Sequence, residues 1–212
     1  MLAQRPFGLV LFARGSVLRD GDDTSRDRLL SEMLAEVGLA SASLDLTTSE
    51  EGRIDEHHLA WTDVHLLAGR LVITIDWLGQ WAATRGLPIG CVATGGGASV
   101  ALVAACERSS ALRAVVSWNG RLDLIAAVLA SVTTPTLLLV GEEQTDCLAI
   151  NRRAVAQLAA PDKELRIVPR SSNLSDGATE LGEVARLARD WFTRYLGPAS
   201  RRPTVASSDA RR

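Results

Sequence analysis

Apolar residues fall along this chain in two alternating rhythms. Short runs of strand length recur at 7–13 (FGLVLFA), 40–46, 88–92, 114–117, 135–140 (PTLLLV) and 165–168. The unbroken ones predict strands buried on both faces, as in a parallel sheet. Between them, apolar residues stand three and four apart, the spacing of one helix face. Thr24 or Ser25 can cap a helix that runs to Val37 with Leu29, Leu30, Met33, Leu34 and Val37 on one side, and Gly38 stops it. The stretch 63–84 carries Val64, Leu67, Leu71, Ile75 and Leu78 at the same spacing. Further helices are expected at 122–131, as a short one, and at 147–160 and 180–196. The last should turn Leu181, Val184, Leu187, Ala188, Trp191 and Tyr195 inward. Strands alternating with helices in this way demand a parallel sheet covered on both faces and wound right-handedly.

The stretch 87–108, LPIGCVATGGGASVALVAACER, organises the rest. An apolar strand ends in small residues, and 99–106 is apolar without a polar break, which predicts a buried helix. Only Ala93, Thr94, Gly95, Gly96 and Gly97 lie between them. So tight a corner excludes side-chain bulk, because β-carbons would meet the neighbouring strand and the helix start. Gly95-Gly96-Gly97 also presents backbone N–H groups at a helix start, a setting that attracts anions. It is not a nucleotide-binding fingerprint: position 93 is Ala, and no Gly falls three residues past Gly97.

Composition narrows the class. The 212 residues are 47% hydrophobic and 23% charged, which suits one globular α/β domain over residues 1–198. Residues 199–212 hold four Arg, one Asp and no apolar periodicity, and are expected to form a disordered basic tail. The net charge of −2 gives no reason to expect nucleic acid, and no apolar run is long enough to suggest a membrane span. Cys91, Cys106 and Cys147 are scattered in apolar surroundings, as reduced cysteines of a cytoplasmic protein would be.

Several stretches together resemble the α/β-hydrolase superfamily, in its dienelactone-hydrolase-like branch: GLVLFARGS (8–16), SLDLTTSEE (43–51), the stretch 87–108, AVVSWNGRLDL (114–124), PTLLLVGEE (135–143), LAINRRA (148–154) and RIVPRSSNL (166–174). The resemblance implies an open, mostly parallel, doubly wound sheet of about six strands, without the N-terminal antiparallel strands of larger members and without a lid. It also implies a triad in the order nucleophile, acid, histidine, on loops at the C-terminal edge of the sheet. Those positions fall on Gly95, Gln144 and Asn173. Glycine has no atom to attack a carbonyl. A carboxamide cannot stabilise an imidazolium by charge, nor take a proton near neutral pH. Arg14 stands where the branch usually carries a His before Gly. The chain's three histidines, His57, His58 and His65, all precede the central stretch.

Other constellations are weaker. His57, His58, Asp63 and His65, with Glu56, do not have the spacing of a known zinc motif, and a solvated loop is the simpler expectation; no metal and no cofactor are expected. Cys91 lies within a strand, and Cys147 has no histidine near it in sequence to activate it. The expected function is that of a catalytically degenerate hydrolase. It would bind a small, anionic ligand through Arg14, Gly15, Ser16, Gly95, Gly96, Trp118 and Arg170, or act through a protein partner, as a homodimer or beside an active homologue. The alternative is an active hydrolase of small esters or lactones that uses non-standard residues.

Overall fold

The computed structural model describes residues 5–14, 23–48, 50–51, 64–169 and 180–198. Six strands form one parallel sheet: β1 (Gly8–Arg14), β2 (Leu39–Asp45), β3 (Ile89–Thr94), β4 (Leu112–Trp118), β5 (Thr136–Gly141) and β6 (Lys163–Val168). Their order across the sheet is β2-β1-β3-β4-β5-β6. Helices α1 (Asp23–Glu36) and α5 (Glu180–Leu196) cover one face; α2 (Val64–Gln80), α3 (Gly95–Glu107) and α4 (Thr145–Gln157) cover the other. The expected doubly wound parallel sheet is therefore the observed one. Strand order reverses between β1 and β3, the place where open α/β sheets leave a crevice at the strands' C-terminal ends.

The central strands supply side chains to two cores by alternation. Leu9, Leu11 and Ala13 of β1 join Cys91 and Ala93 of β3 under α2 and α3. Val10 and Phe12 join Val92, Ala114, Val116 and Trp118 under α1 and α5. Helix α3 is buried from Gly97 to Ala105, as a helix apolar on all sides must be.

Three sequence expectations change. The helix predicted at 99–106 starts at Gly95 itself, directly from the strand. The short helix at 122–131 is two 3-10 turns, Leu122–Ile125 and Leu129–Ser131. This segment returns from the top of β4 to the bottom of β5, and the 3-10 form gains more height per residue than an α-helix. Leu122, Ile125 and Leu129 still point inward. In α5 the fully buried side is Val184, Ala185, Ala188, Trp191, Phe192 and Leu196, while Leu181, Leu187 and Tyr195 are only partly covered. The reason is Gly90: its missing side chain leaves a socket in β3 that the Phe192 ring fills, drawing that helix face round.

Candidate functional site

Register alone builds the candidate site. Arg14 pairs with Asp45 across β1 and β2, and Thr94 with Trp118 across β3 and β4. Ala13 is level with Ala93, so the next residues, Arg14 and Thr94, are neighbours as well. The row Asp45, Arg14, Thr94, Trp118 thus ends four adjacent strands on the α1 and α5 side. Below it lie Phe12 and Val92; Arg26, Asp27 and Leu30 of α1 and Leu181, Val184 and Ala185 of α5 close the sides. Asp45 apart, these residues enclose a partly open cavity of about 50 Å³.

The polar groups of this cavity are mostly balanced among themselves. Arg14 lies 3.0 Å from Asp45 through Nε and 3.4 Å from Asp27 through Nη1. The Arg26 guanidinium stands 5.1 Å from the centre of the Trp118 ring, a cation–π contact. Trp118 is 9% exposed, and its indole N–H has no hydrogen-bond partner among the described residues. A buried donor left so is costly unless a ligand or water meets it.

Gly95 stands beside this cavity but does not line it. Its φ is +52°, the left-handed conformation that favours glycine. A β-carbon built there would find no atom of the described residues within 4 Å. Trp118 therefore does not fill the space above the corner. Gly97, by contrast, lets α3 press against the sheet, since its β-carbon would come within 3.2 Å of the Ala13 carbonyl oxygen. The corner is held from the β4 side: the Arg121 N–H donates to the Gly95 carbonyl at 3.0 Å, and Ser99 Oγ donates to the Arg121 carbonyl at 2.7 Å. Thr94, at the helix N-cap, makes no side-chain cap, and the first turn of α3 carries no acidic residue.

The remaining predicted residues separate. Gln144 precedes α4 and lines a different cleft, with Gly141, Glu142, Glu143 and Glu180. Gly15, Ser16, Arg170 and Asn173 lie outside the described residues, as do Glu56, His57, His58 and Asp63. His65 is exposed at the start of α2. Cys91 is wholly buried, and burial pushes its thiol up to about 12. Burial also raises the Cys147 thiol, against a smaller opposing effect of the Arg121 charge. Asn151 donates to the Cys147 sulfur at 3.2 Å and to the Gly120 carbonyl at 2.9 Å. Both shifts run against the lowered thiol that an activated nucleophile needs.

Four residues of the site escape sequence reasoning. Arg26 and Asp27 sit on an amphipathic helix whose polar residues look solvated. Thr94 looks like a spacer between strand and glycines. Asn119 occupies the left-handed region (φ +49°) and accepts the Gly141 N–H at 3.0 Å, tying the loops after β4 and β5 together. The Asn119-Gly120 pair was the one available signal, since Asn tolerates that conformation.

No helix among the described residues is long and apolar enough to cross a membrane. No family model matches the chain. It is 40% identical over 197 residues to a protein of Mycobacterium tuberculosis named as a putative phosphoribosyl transferase, in each of two strains. That match covers 92% of this chain but 43% of the relative, so the chain spans less than half the length of the curated relatives it matches. Among solved structures, a dienelactone hydrolase from Anabaena variabilis is 40% identical, with a TM-score of 0.78, over 91% of this chain and 88% of that one. Est1E from Butyrivibrio proteoclasticus, 11% identical, shares the fold at a TM-score of 0.65 over 91% and 89% of the two chains. An esterase domain from Rhodothermus marinus, 14% identical, shares it at 0.65 over 92% and 90%. With a parallel six-stranded sheet, a left-handed corner between β3 and α3, and this identity over nearly the whole of a solved relative, the chain belongs to the dienelactone hydrolase family of the α/β-hydrolase fold.

Proposed function

We propose that this chain has given up acyl transfer and serves as a binding protein, taking a small ligand at the edge where β1 and β3 part. Gly95 carries the reading. At the corner where the family resemblance places a nucleophile, the backbone has the left-handed conformation, and Gly95 offers only a hydrogen where no atom of the described residues comes within 4 Å of a β-carbon position. Gln144 in the acid's place, and Asn173 in the histidine's, agree with it. Burial raises the Cys147 thiol, against its use as an alternative nucleophile. We assign the transferase chemistry named for the curated relatives to the part of those proteins that this chain does not match.

The cavity argues for the ligand's character. Its walls are mainly apolar and its volume suits only a few heavy atoms. Arg14 is already balanced by Asp27 and Asp45, so it adds little pull on an anion. The Trp118 indole N–H is shielded from solvent and has no partner among the described residues, and the proposed ligand brings an acceptor oxygen to it by entering beside the ring. A short branched carboxylate such as isobutyrate combines both features.

The decisive experiment is hydrolysis of small esters and lactones by the purified chain. The expected rate equals that of buffer. Turnover above buffer that disappears in Gln144→Ala or Cys147→Ala protein overturns the reading. Isobutyrate at tenfold its Kd should raise Tm by about 3–6 °C. That rise should vanish in Leu181→Trp, which fills the cavity from its rim.

A further inference from the structure

We infer that a polar cleft at the N-terminal edge of the sheet binds a phosphate monoester, at the opposite end of β4 from the cavity beside Trp118. Extended chain from Arg113 to Trp118 spans about 17 Å, so the two sites are distinct. The cleft has a volume of about 360 Å³. Ser109 and Ser110 wall it from the turn after α3, Thr133 and Thr134 from the approach to β5, and Tyr195 from near the end of α5.

Strand pairing places the cation of this cleft. Ile89 of β3 is level with Leu112 of β4, and Gly90 with Ala114. Arg113 is thus the extra residue of a bulge, a feature rare in parallel pairs that re-aims a side chain. It is exposed, lines the cleft, and forms no ion pair among the described residues. The arginines next in sequence to the walls differ: Arg108 holds Asp76 at 3.0 Å, and Arg194 lies 3.5 Å from Asp162. Among the described residues no acid lines the cleft. Asp162 and Glu164 act on Tyr195 from beyond it, and both are engaged, Asp162 with Arg194 and Glu164 with Arg166 at 2.8 Å. The cleft therefore keeps one cation without a counter-charge.

The remaining donors fix the shape of the anion. Thr134 Oγ1 donates to the Leu112 carbonyl at 3.4 Å. The exposed hydroxyls of Ser109, Ser110 and Thr133 make no hydrogen bond among the described residues. A planar carboxylate holds its acceptors in one plane. A tetrahedral phosphate can take the guanidinium through two oxygens and turn the others to hydroxyls on separate loops. Those loops are set beforehand. The Ala111 and Leu112 N–H groups both donate to the Arg108 carbonyl, at 3.0 and 2.8 Å, and Thr136 Oγ1 donates to the Thr134 carbonyl at 2.8 Å. Binding then has little to order. The volume exceeds that of a phosphate group and leaves room for a small carbon skeleton beside Pro135 and Tyr195.

Isothermal titration calorimetry of the full chain at low ionic strength tests this. Inorganic phosphate is expected to bind with a Kd of about 1 mM, glycerol 3-phosphate more tightly, and glycerol not at all. Arg113→Gln should weaken both anions by about 10-fold or more. The same charge change at exposed Arg153 of α4, Arg153→Gln, should leave them unchanged. So should Leu181→Trp, which fills the other cavity. In phosphate-free buffer the Tm of Arg113→Gln should stay near that of wild type, because the residue is exposed. Absence of saturable phosphate binding below about 10 mM overturns the inference. So does binding that survives Arg113→Gln, falls equally in Arg153→Gln or vanishes in Leu181→Trp, and so does glycerol 3-phosphate that binds no more tightly than phosphate.

Discussion

At the scale of single residues, two glycines five positions apart, one in β3 and one at the start of α3, show opposite kinds of necessity. Gly90 is needed for what surrounds it: a β-carbon there would stand 2.6 Å from the Phe192 ring. Gly95 is needed for its own backbone, since among the described residues nothing crowds a β-carbon there and its φ of +52° alone resists a side chain. Gly90→Ala should therefore cost about 1–3 kcal/mol by overpacking, and Phe192→Leu should recover part of that loss. Gly95→Ala should cost about 1–2 kcal/mol from conformation alone, with no recovery from any neighbouring change. Urea unfolding of the singles and of the Gly90→Ala/Phe192→Leu double separates the two; equal behaviour at both positions would refute the distinction. Gly95 was legible in the sequence because it interrupts a strand-to-helix corner. Phe192 was not, because the helical period marks a broad inward side and only the socket at Gly90 decides which residue fills it.

At the scale of elements, α2 is joined to the segment after β2 by one charged clasp. Arg70 donates two hydrogen bonds to the Glu51 carboxylate, each 2.7 Å, and a third to the Leu46 carbonyl at 2.9 Å. The Thr48 N–H donates to the same carboxylate at 2.7 Å. Arg70 first, and then this N–H, lower the Glu51 carboxyl from 4.5 to about 2. A carboxyl lowered by folding binds its proton more tightly in the unfolded chain. Its stabilising effect is complete above pH 4.5 and fades as pH falls towards 2. Glu51→Gln should accordingly flatten the acid limb of the stability profile in that window and lower stability at pH 7. A profile unchanged between pH 4.5 and 2 would show that the clasp adds nothing. This pair was invisible in the sequence, since nineteen positions separate its members and both look like solvated charges. The strands and long helices, by contrast, were plain, because apolar runs and helical spacing are written locally. The 3-10 turns after β4 were not, because how far a short connection must travel is fixed by the sheet and not by its own residues.

At the scale of the whole molecule, one sheet is the shared wall of two cores. Leu102 is fully buried on the α3 side and Phe192 on the α5 side. Neither core can lose its packing without stripping a face from strands β1, β3 and β4. Leu102→Ala and Phe192→Ala, each costing about 3–5 kcal/mol, should lower the midpoint of one and the same transition. Far- and near-ultraviolet circular dichroism should follow it together; separate transitions would show two cores that unfold alone. The alternating pattern made this architecture readable from the start, while the cavity at the top of the sheet was only half readable, since register, and not any motif, gathers Arg14, Thr94 and Trp118 there.

The strand order also leaves β2 and β6 at the borders of the sheet. An uncovered border is a template on which another molecule's backbone can continue the ladder. Along β6, Lys163, Glu164 and Arg166 supply the charge that deters such growth, around an Ile167 that is 47% exposed. The ion pair between Arg166 and Glu164 thus has a consequence beyond its small share in stability. Charge on an edge strand disfavours such continuation of the ladder, whatever it adds to the strand's own stability.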